Sequence, residues 1–130
     1  MESNNFFLIS SKSCAIPDTR NDWLYLTGHS DLSSGSKQVT KYSTEGFQED
    51  LPPLKTGRGE HACSGFHDEE GDFVLLVVGG KADRDNYLTS TEIFQVGSSS
   101  QWTEMSPLPS RLNDAHCTTL NNNIYLLGWY

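Results

Sequence analysis

The chain has 130 residues, the length of one ordinary domain, and its 11 glycines, 5 prolines and 11% aromatic residues suit short strands joined by tight turns better than a helical bundle. Lysine and arginine number 9 against 17 aspartates and glutamates, and the resulting net charge of -8 repels phosphate backbones and anionic lipid, which argues against nucleic-acid and membrane partners. The longest apolar run, Phe73 to Val78, is far shorter than the roughly 20 residues that cross a bilayer, and no basic residue precedes the Phe6-Phe7-Leu8-Ile9 patch, so no anchor or secretion signal is read. An odd count of 3 cysteines, without a C-x-x-C pair or an Asn-x-Ser/Thr sequon, predicts a reducing compartment and a cytoplasmic location.

In chain order, Ser13-Cys14-Ala15 opens a first strand, and Leu24-Tyr25-Leu26-Thr27-Gly28 reads as a second that ends on a glycine. Val39-Thr40-Lys41-Tyr42 reads as a strand of alternating exposure. Phe47 to Leu54 carries an aromatic at its start and Pro52-Pro53 near its end, where proline stops a strand because it cannot donate to the ladder. The same elements then recur. Arg58 leads into His61-Ala62-Cys63, followed by Leu75-Leu76-Val77-Val78-Gly79, by Thr91-Glu92-Ile93-Phe94, and by Gln101-Trp102 running to Pro107-Leu108-Pro109. Arg111 opens a third pass with Ala115-His116-Cys117 and Ile124-Tyr125-Leu126-Leu127-Gly128. The period is about fifty residues, which divides the chain into units at 11–57 and 58–110 and the start of a third at 111–130.

Four short antiparallel strands repeated at that spacing describe a β-propeller blade, whose sheet is covered by a neighbour on each face. Such cover explains the uninterrupted apolar run Phe73 to Val78, while the outer strand from Gln101 to Met105 is free to alternate. The three cysteines fall near the start of each unit and read as small hydrophobes packed in inner strands. No disulfide or metal role is expected of them, on the premise that equivalent strands of neighbouring units stay beyond bonding range. Gly79 and Gly80 are expected to adopt conformations that a side chain would block, and Trp102 to pack between neighbouring units.

Few motifs carry chemistry. Gly57-Arg58-Gly59-Glu60-His61-Ala62 fits G-x-G-x-x-A in letters, but it follows a Pro-Pro turn and precedes a strand, so no helix N-terminus meets a pyrophosphate. His67-Asp68-Glu69-Glu70-Gly71-Asp72 reads as a solvated hairpin turn rather than a cation loop. His61 and His116 read as hydrogen-bonded structural residues near inner strands. H-E-x-x-H, G-x-S-x-G and Walker patterns are absent from the sequence, so no catalytic residue, metal or cofactor is assigned and a non-enzymatic role is expected.

The order Arg58, His61, Gly79-Gly80, Glu92-Ile93-Phe94, Trp102 and Pro107-Leu108-Pro109 resembles the kelch repeat. The flanking units depart from it: His29 and Trp129 stand in the second glycine's place, and Phe47 or Gln48 in the tryptophan's. The resemblance extends from about Ser11 onward and implies an all-β fold, an incomplete kelch β-propeller of consecutive four-stranded antiparallel blades. A closed kelch ring usually has about five to seven blades, so the resemblance also implies a fragment whose open blade faces invite self-association. By function it implies a protein-interaction module, such as the substrate-recognition part of a cullin-3 ubiquitin-ligase adaptor or an actin-binding protein, with no BTB or BACK segment in these residues. The alternative is a piece of a galactose-oxidase-like or sugar-processing propeller enzyme. In kelch proteins the working surface is often the rim that carries the loop after Gly-Gly and the loop around the repeat's arginine. On this chain those loops supply His29, Ser30, Arg58, Glu60, Lys81, Asp83, Arg84 and Asn113, with Arg58, Lys81 and Arg84 as a basic patch suited to an acidic peptide.

Overall fold

Strands rich in β-branched and aromatic residues, punctuated by glycine turns, pair here almost entirely with their sequence neighbours. The computed structural model describes residues 13–29 and 34–129. It is all-β, and no helix occurs among the described residues. β1 (Cys14–Asp18), β2 (Trp23–Thr27), β3 (Val39–Ser43) and β4 (Gln48–Asp50) form a first antiparallel sheet in that order. β5 (Ala62–His67) and β6 (Phe73–Val78) begin a second. After a small hairpin of β7 (Lys81–Asp83) and β8 (Asn86–Tyr87), that sheet is completed by β9 (Thr91–Gln95) and β10 (Thr103–Met105). β11 (Asn113–Leu120) and β12 (Asn123–Trp129) pair as a third unit. Leu24 to Thr27, Leu75 to Val78 and Ile124 to Leu127 all lie in the second strand of their sheets.

The sheets stack face to face, with β1 against β5 and β5 against β11. Between the first two sheets Ile16, Tyr25 and Val39 meet Leu75, Val77 and Phe94 in one apolar cluster. On the other face of the second sheet Leu76 and Val78 meet Ala115, Cys117 and Leu126. All six residues of β6 are therefore buried, as a strand with a neighbouring sheet on each side requires. Trp102 ties the stack together: its indole is fully buried, lies over Phe94 and donates from Nε1 to the Pro52 carbonyl of the preceding unit at 2.9 Å.

Three expectations are corrected. The first concerns the cysteines, for Cys14 and Cys63 form a disulfide across the two sheets, with Cα atoms 6.1 Å apart. Cys14 is not the counterpart of Cys63: it pairs with Thr27, the last residue of β2, whereas Cys63 pairs with Val77, one short of the end of β6. A one-residue offset turns a side chain to the opposite face, so Cys14 points forward to the second sheet and Cys63 back to the first. The differing hairpins, Thr19 to Asp22 and Asp68 to Asp72, hide that offset in the sequence. With two cysteines bonded, the premise for a reducing compartment falls away.

The second correction concerns β9, where Glu92 does not alternate out to solvent but is wholly buried. The third is that β10 does not alternate either, since Thr103, Glu104 and Met105 are all exposed while Trp102, just before the strand, carries the burial. No helix of the described residues is long and apolar enough to cross a membrane.

Candidate functional site at the loop rim

The rim is built from three backbone segments that add small bridges beyond the main sheets. Ser34 bridges Asp83, Ser36 bridges Arg58, and Gly59 bridges Lys81. The Gly35 N–H donates to the Ala82 carbonyl at 2.7 Å, and Gly59 and Lys81 exchange two backbone bonds at 3.0 and 2.8 Å. The loops after the glycine positions and the loop around Arg58 thus join into one ledge. Gly80 makes the approach feasible: its φ is +85°, and a Cβ there would lie 2.5 Å from the Gly59 carbonyl oxygen and 2.7 Å from the His61 Cβ.

Arg58 belongs under this ledge and not on it. Its side chain has no exposed surface, and the guanidinium is shared between the Glu92 carboxylate at 2.6 Å, the carbonyls of Gly79 and Ser90, and the Ser90 hydroxyl. Glu92 is equally buried and also accepts the backbone N–H groups of Lys55 and Thr56, so the pair fastens the inter-unit loop to the sheet. Burial pulls the guanidinium below its ordinary value, opposed by its bond to Glu92. As a member of an accessible basic patch Arg58 is therefore corrected, because no partner reaches it. Nearby, the His61 Nε2 lies 2.8 Å from the Thr27 hydroxyl of the first sheet. Burial, reinforced by the Arg58 charge, pushes the His61 pKa down to about 3, so the ring is neutral.

The remaining rim residues divide. Lys81 and Glu60 pair at 3.2 Å on the surface, and that contact leads the effects that raise the Lys81 pKa. Asp83 and Arg84 are exposed at the tip of the β7–β8 hairpin, where Asp83 Oδ1 accepts the Asp85 N–H. His29 is half-buried and its carbonyl accepts the Ser36 N–H. Asn113 begins β11 opposite Trp129, and Ser30 lies outside the described residues. His116 is exposed on β11 rather than held in a structural bond.

Between the hairpin and the third unit lies a cleft of about 290 Å³, lined by Glu60, Gly80, Lys81, Tyr87, Leu112 and Asp114. Tyr87 is its exposed aromatic, with Lys81 Nζ 4.9 Å and Arg111 Cζ 4.7 Å from the ring centroid. Tyr87, Leu112 and Asp114 were not singled out from sequence. The one available signal was an aromatic in an otherwise polar loop after Gly79-Gly80. Asp114, in a left-handed conformation with φ +50°, was invisible as a site residue.

No protein-family model matches the chain, and no curated protein matches it in sequence. Solved structures do. YjhT superposes with a TM-score of 0.72 at 13% identity, over 91% of this chain and 38% of that one. A fungal alcohol oxidase of the AA5 family, in complex with copper, superposes with a TM-score of 0.72 at 13% identity, over 90% of this chain and 27% of the oxidase. The chain thus spans less than two fifths of either. The second likeness corrects the expectation of a non-enzymatic chain to this extent: the architecture is one that an oxidase also uses, so the fold lends that expectation no support. Among the described residues no three His, Cys, Asp or Glu side chains gather as a metal site. What the stacked antiparallel sheets and these likenesses establish together is an all-β fold of β-propeller type, with its sheets open rather than closed into a ring.

Proposed function

We propose that the chain is part of a kelch-type propeller and serves as a protein-interaction module, taking an acidic peptide segment of its partner at the rim cleft. The observation that carries this reading is the clustering of an exposed aromatic, Tyr87, with Arg111 and Lys81 beside it and Leu112 in the wall. Aromatic and arginine side chains at the centre of a concave rim are what protein interfaces use as anchors. Arg111 and Arg84 are exposed and offer planar forks to carboxylates, whereas Lys81 would exchange its Glu60 partner for one from the peptide. An adaptor role in ubiquitin ligation and an actin-binding role are the two biological settings the repeat pattern suggests for such a module.

The experiment is fluorescence anisotropy with a labelled Glu-rich peptide and its Gln-substituted counterpart. Binding of the acidic peptide alone, weakened by Arg84→Glu with Arg111→Glu while thermal unfolding is unchanged, supports the reading. Equal binding of both peptides, or no loss in the double variant, removes it. A second reading, a piece of a galactose-oxidase-like enzyme, is favoured by the likeness to the fungal oxidase. Alcohol-dependent oxygen consumption on addition of copper(II) to the chain would support it, and its absence would leave the binding module as the better account.

A further inference from the structure

The third unit presents an apolar face with a counterpart inside the same molecule. Strand register makes Tyr125 and Leu127 of β12 equivalent to Leu76 and Val78 of β6, counting back from Gly128 and Gly79. Leu76 and Val78 are 7% and 4% exposed because the third unit covers them, whereas Tyr125 and Leu127 are 48% and 67% exposed. Leu120 of β11, also exposed, extends the patch. Ile124 and Leu126, equivalent to Leu75 and Val77, are on the side turned toward the second sheet.

The first sheet has the complementary face. Its Tyr25 and Thr27 turn toward the second sheet, at the positions of Leu76 and Val78. Leu24 and Leu26 are on its far side, at the positions of Leu75 and Val77, and remain partly exposed beside exposed Ala15 and Pro17. The stacking contact occurs twice within the chain, first sheet on second and second on third unit, using these same positions each time. Continuation of that interface brings the Leu24 and Leu26 face onto the Tyr125 and Leu127 face.

We propose that a second copy of this chain stacks head to tail on the outer face of the third unit, its Ala15, Leu24 and Leu26 covering Tyr125 and Leu127 as the third unit covers Leu76 and Val78. The contact is heterologous, two different patches meeting, so association runs beyond a dimer until the copies close or extend.

Sedimentation velocity of the full chain tests this over a range of about 1 to 100 µM, with Ala15→Asp and Leu127→Asp as variants. Both sites are exposed, so the fold of a single copy is unaffected, and circular dichroism checks it. The parent is expected to associate with rising concentration, while each variant alone shows a dissociation constant raised at least about tenfold. An equimolar mixture of the two variants is expected to form a one-to-one complex, because each retains the face the other lacks. A parent that stays monomeric throughout overturns the proposal and gives the face to a following blade of a longer propeller. So does a mixture that stays monomeric, or self-association of either variant at the parent's strength. Should Ala15→Asp misfold, Pro17→Glu replaces it on the same face.

Discussion

Replacing Arg58 by alanine removes the only side-chain cation that contacts the buried Glu92 carboxylate among the described residues. Glu92 keeps the N–H groups of Lys55 and Thr56 but no counter-charge, the Gly79 carbonyl loses the guanidinium as donor, and the Ser90 carbonyl keeps the Gly79 N–H alone. Breaking a fully buried pair from one side costs about 3 to 5 kcal/mol, a large share of the roughly 5 to 15 kcal/mol that holds a domain of this size. Urea unfolding followed by far-ultraviolet circular dichroism should show that loss as a lowered midpoint with little change in slope. Glu92→Leu should cost a similar amount, and Arg58→Ala with Glu92→Leu together less than the sum of the two, since the second substitution removes the orphaned charge. A loss below about 1 kcal/mol for Arg58→Ala would place the pair in the range of solvated surface bridges, and Arg58 would again be free to meet a partner.

Further outcomes follow from other buried groups. His61, neutral in the fold with a pKa near 3 against 6.5 for an ordinary histidine, leaves stability untouched above pH 6.5; as pH falls from there the unfolded chain takes up a proton that the folded chain refuses. Stability should drop by up to about 1.4 kcal/mol per pH unit between pH 6 and 5, a slope that His61→Gln flattens in urea titrations at each pH. The Cys14–Cys63 bond closes a loop of 49 residues, so Cys14→Ser with Cys63→Ser should lower stability by up to about 4 kcal/mol, and non-reduced peptide mapping should recover the linked pair. Gly80→Ala puts a Cβ against the Gly59 carbonyl and His61 at positive φ, so it should cost about 2 kcal/mol or more in thermal unfolding and disturb the rim. Trp102→Ala should cost about 3 to 5 kcal/mol, because the fully buried indole and its bond to Pro52 hold two units together.

The sheets were legible in the sequence because their signal is periodic. Leu24 to Gly28, Leu75 to Gly79 and Ile124 to Gly128 recur about every fifty residues, and the run Phe73 to Val78 announces a strand covered on both faces. What escaped was which way each side chain points. The register of Cys14 depends on how many residues turn the β1–β2 hairpin, and one residue decides between a packed thiol and a disulfide. Arg58 and Glu92 are charged residues that a pattern of alternation sends to solvent, yet each makes the other tolerable in the interior. The rim was half legible: the loops that carry Glu60, Lys81, Asp83 and Arg84 were placed together, but Tyr87 comes beside Lys81 through the β7–β8 pairing, and Leu112 and Asp114 meet them only through the packing of the third unit on the second sheet.

Amide chemical-shift mapping with a Glu-rich peptide puts the proposed binding face to the most direct test. The account predicts perturbations confined to Gly59, Glu60, the β7–β8 hairpin from Gly80 to Tyr87, and Arg111 to Asp114, with the resonances of β4, β10 and the Asp68 to Asp72 turn unmoved. Perturbations centred on that opposite turn, or none at saturating peptide, would contradict it.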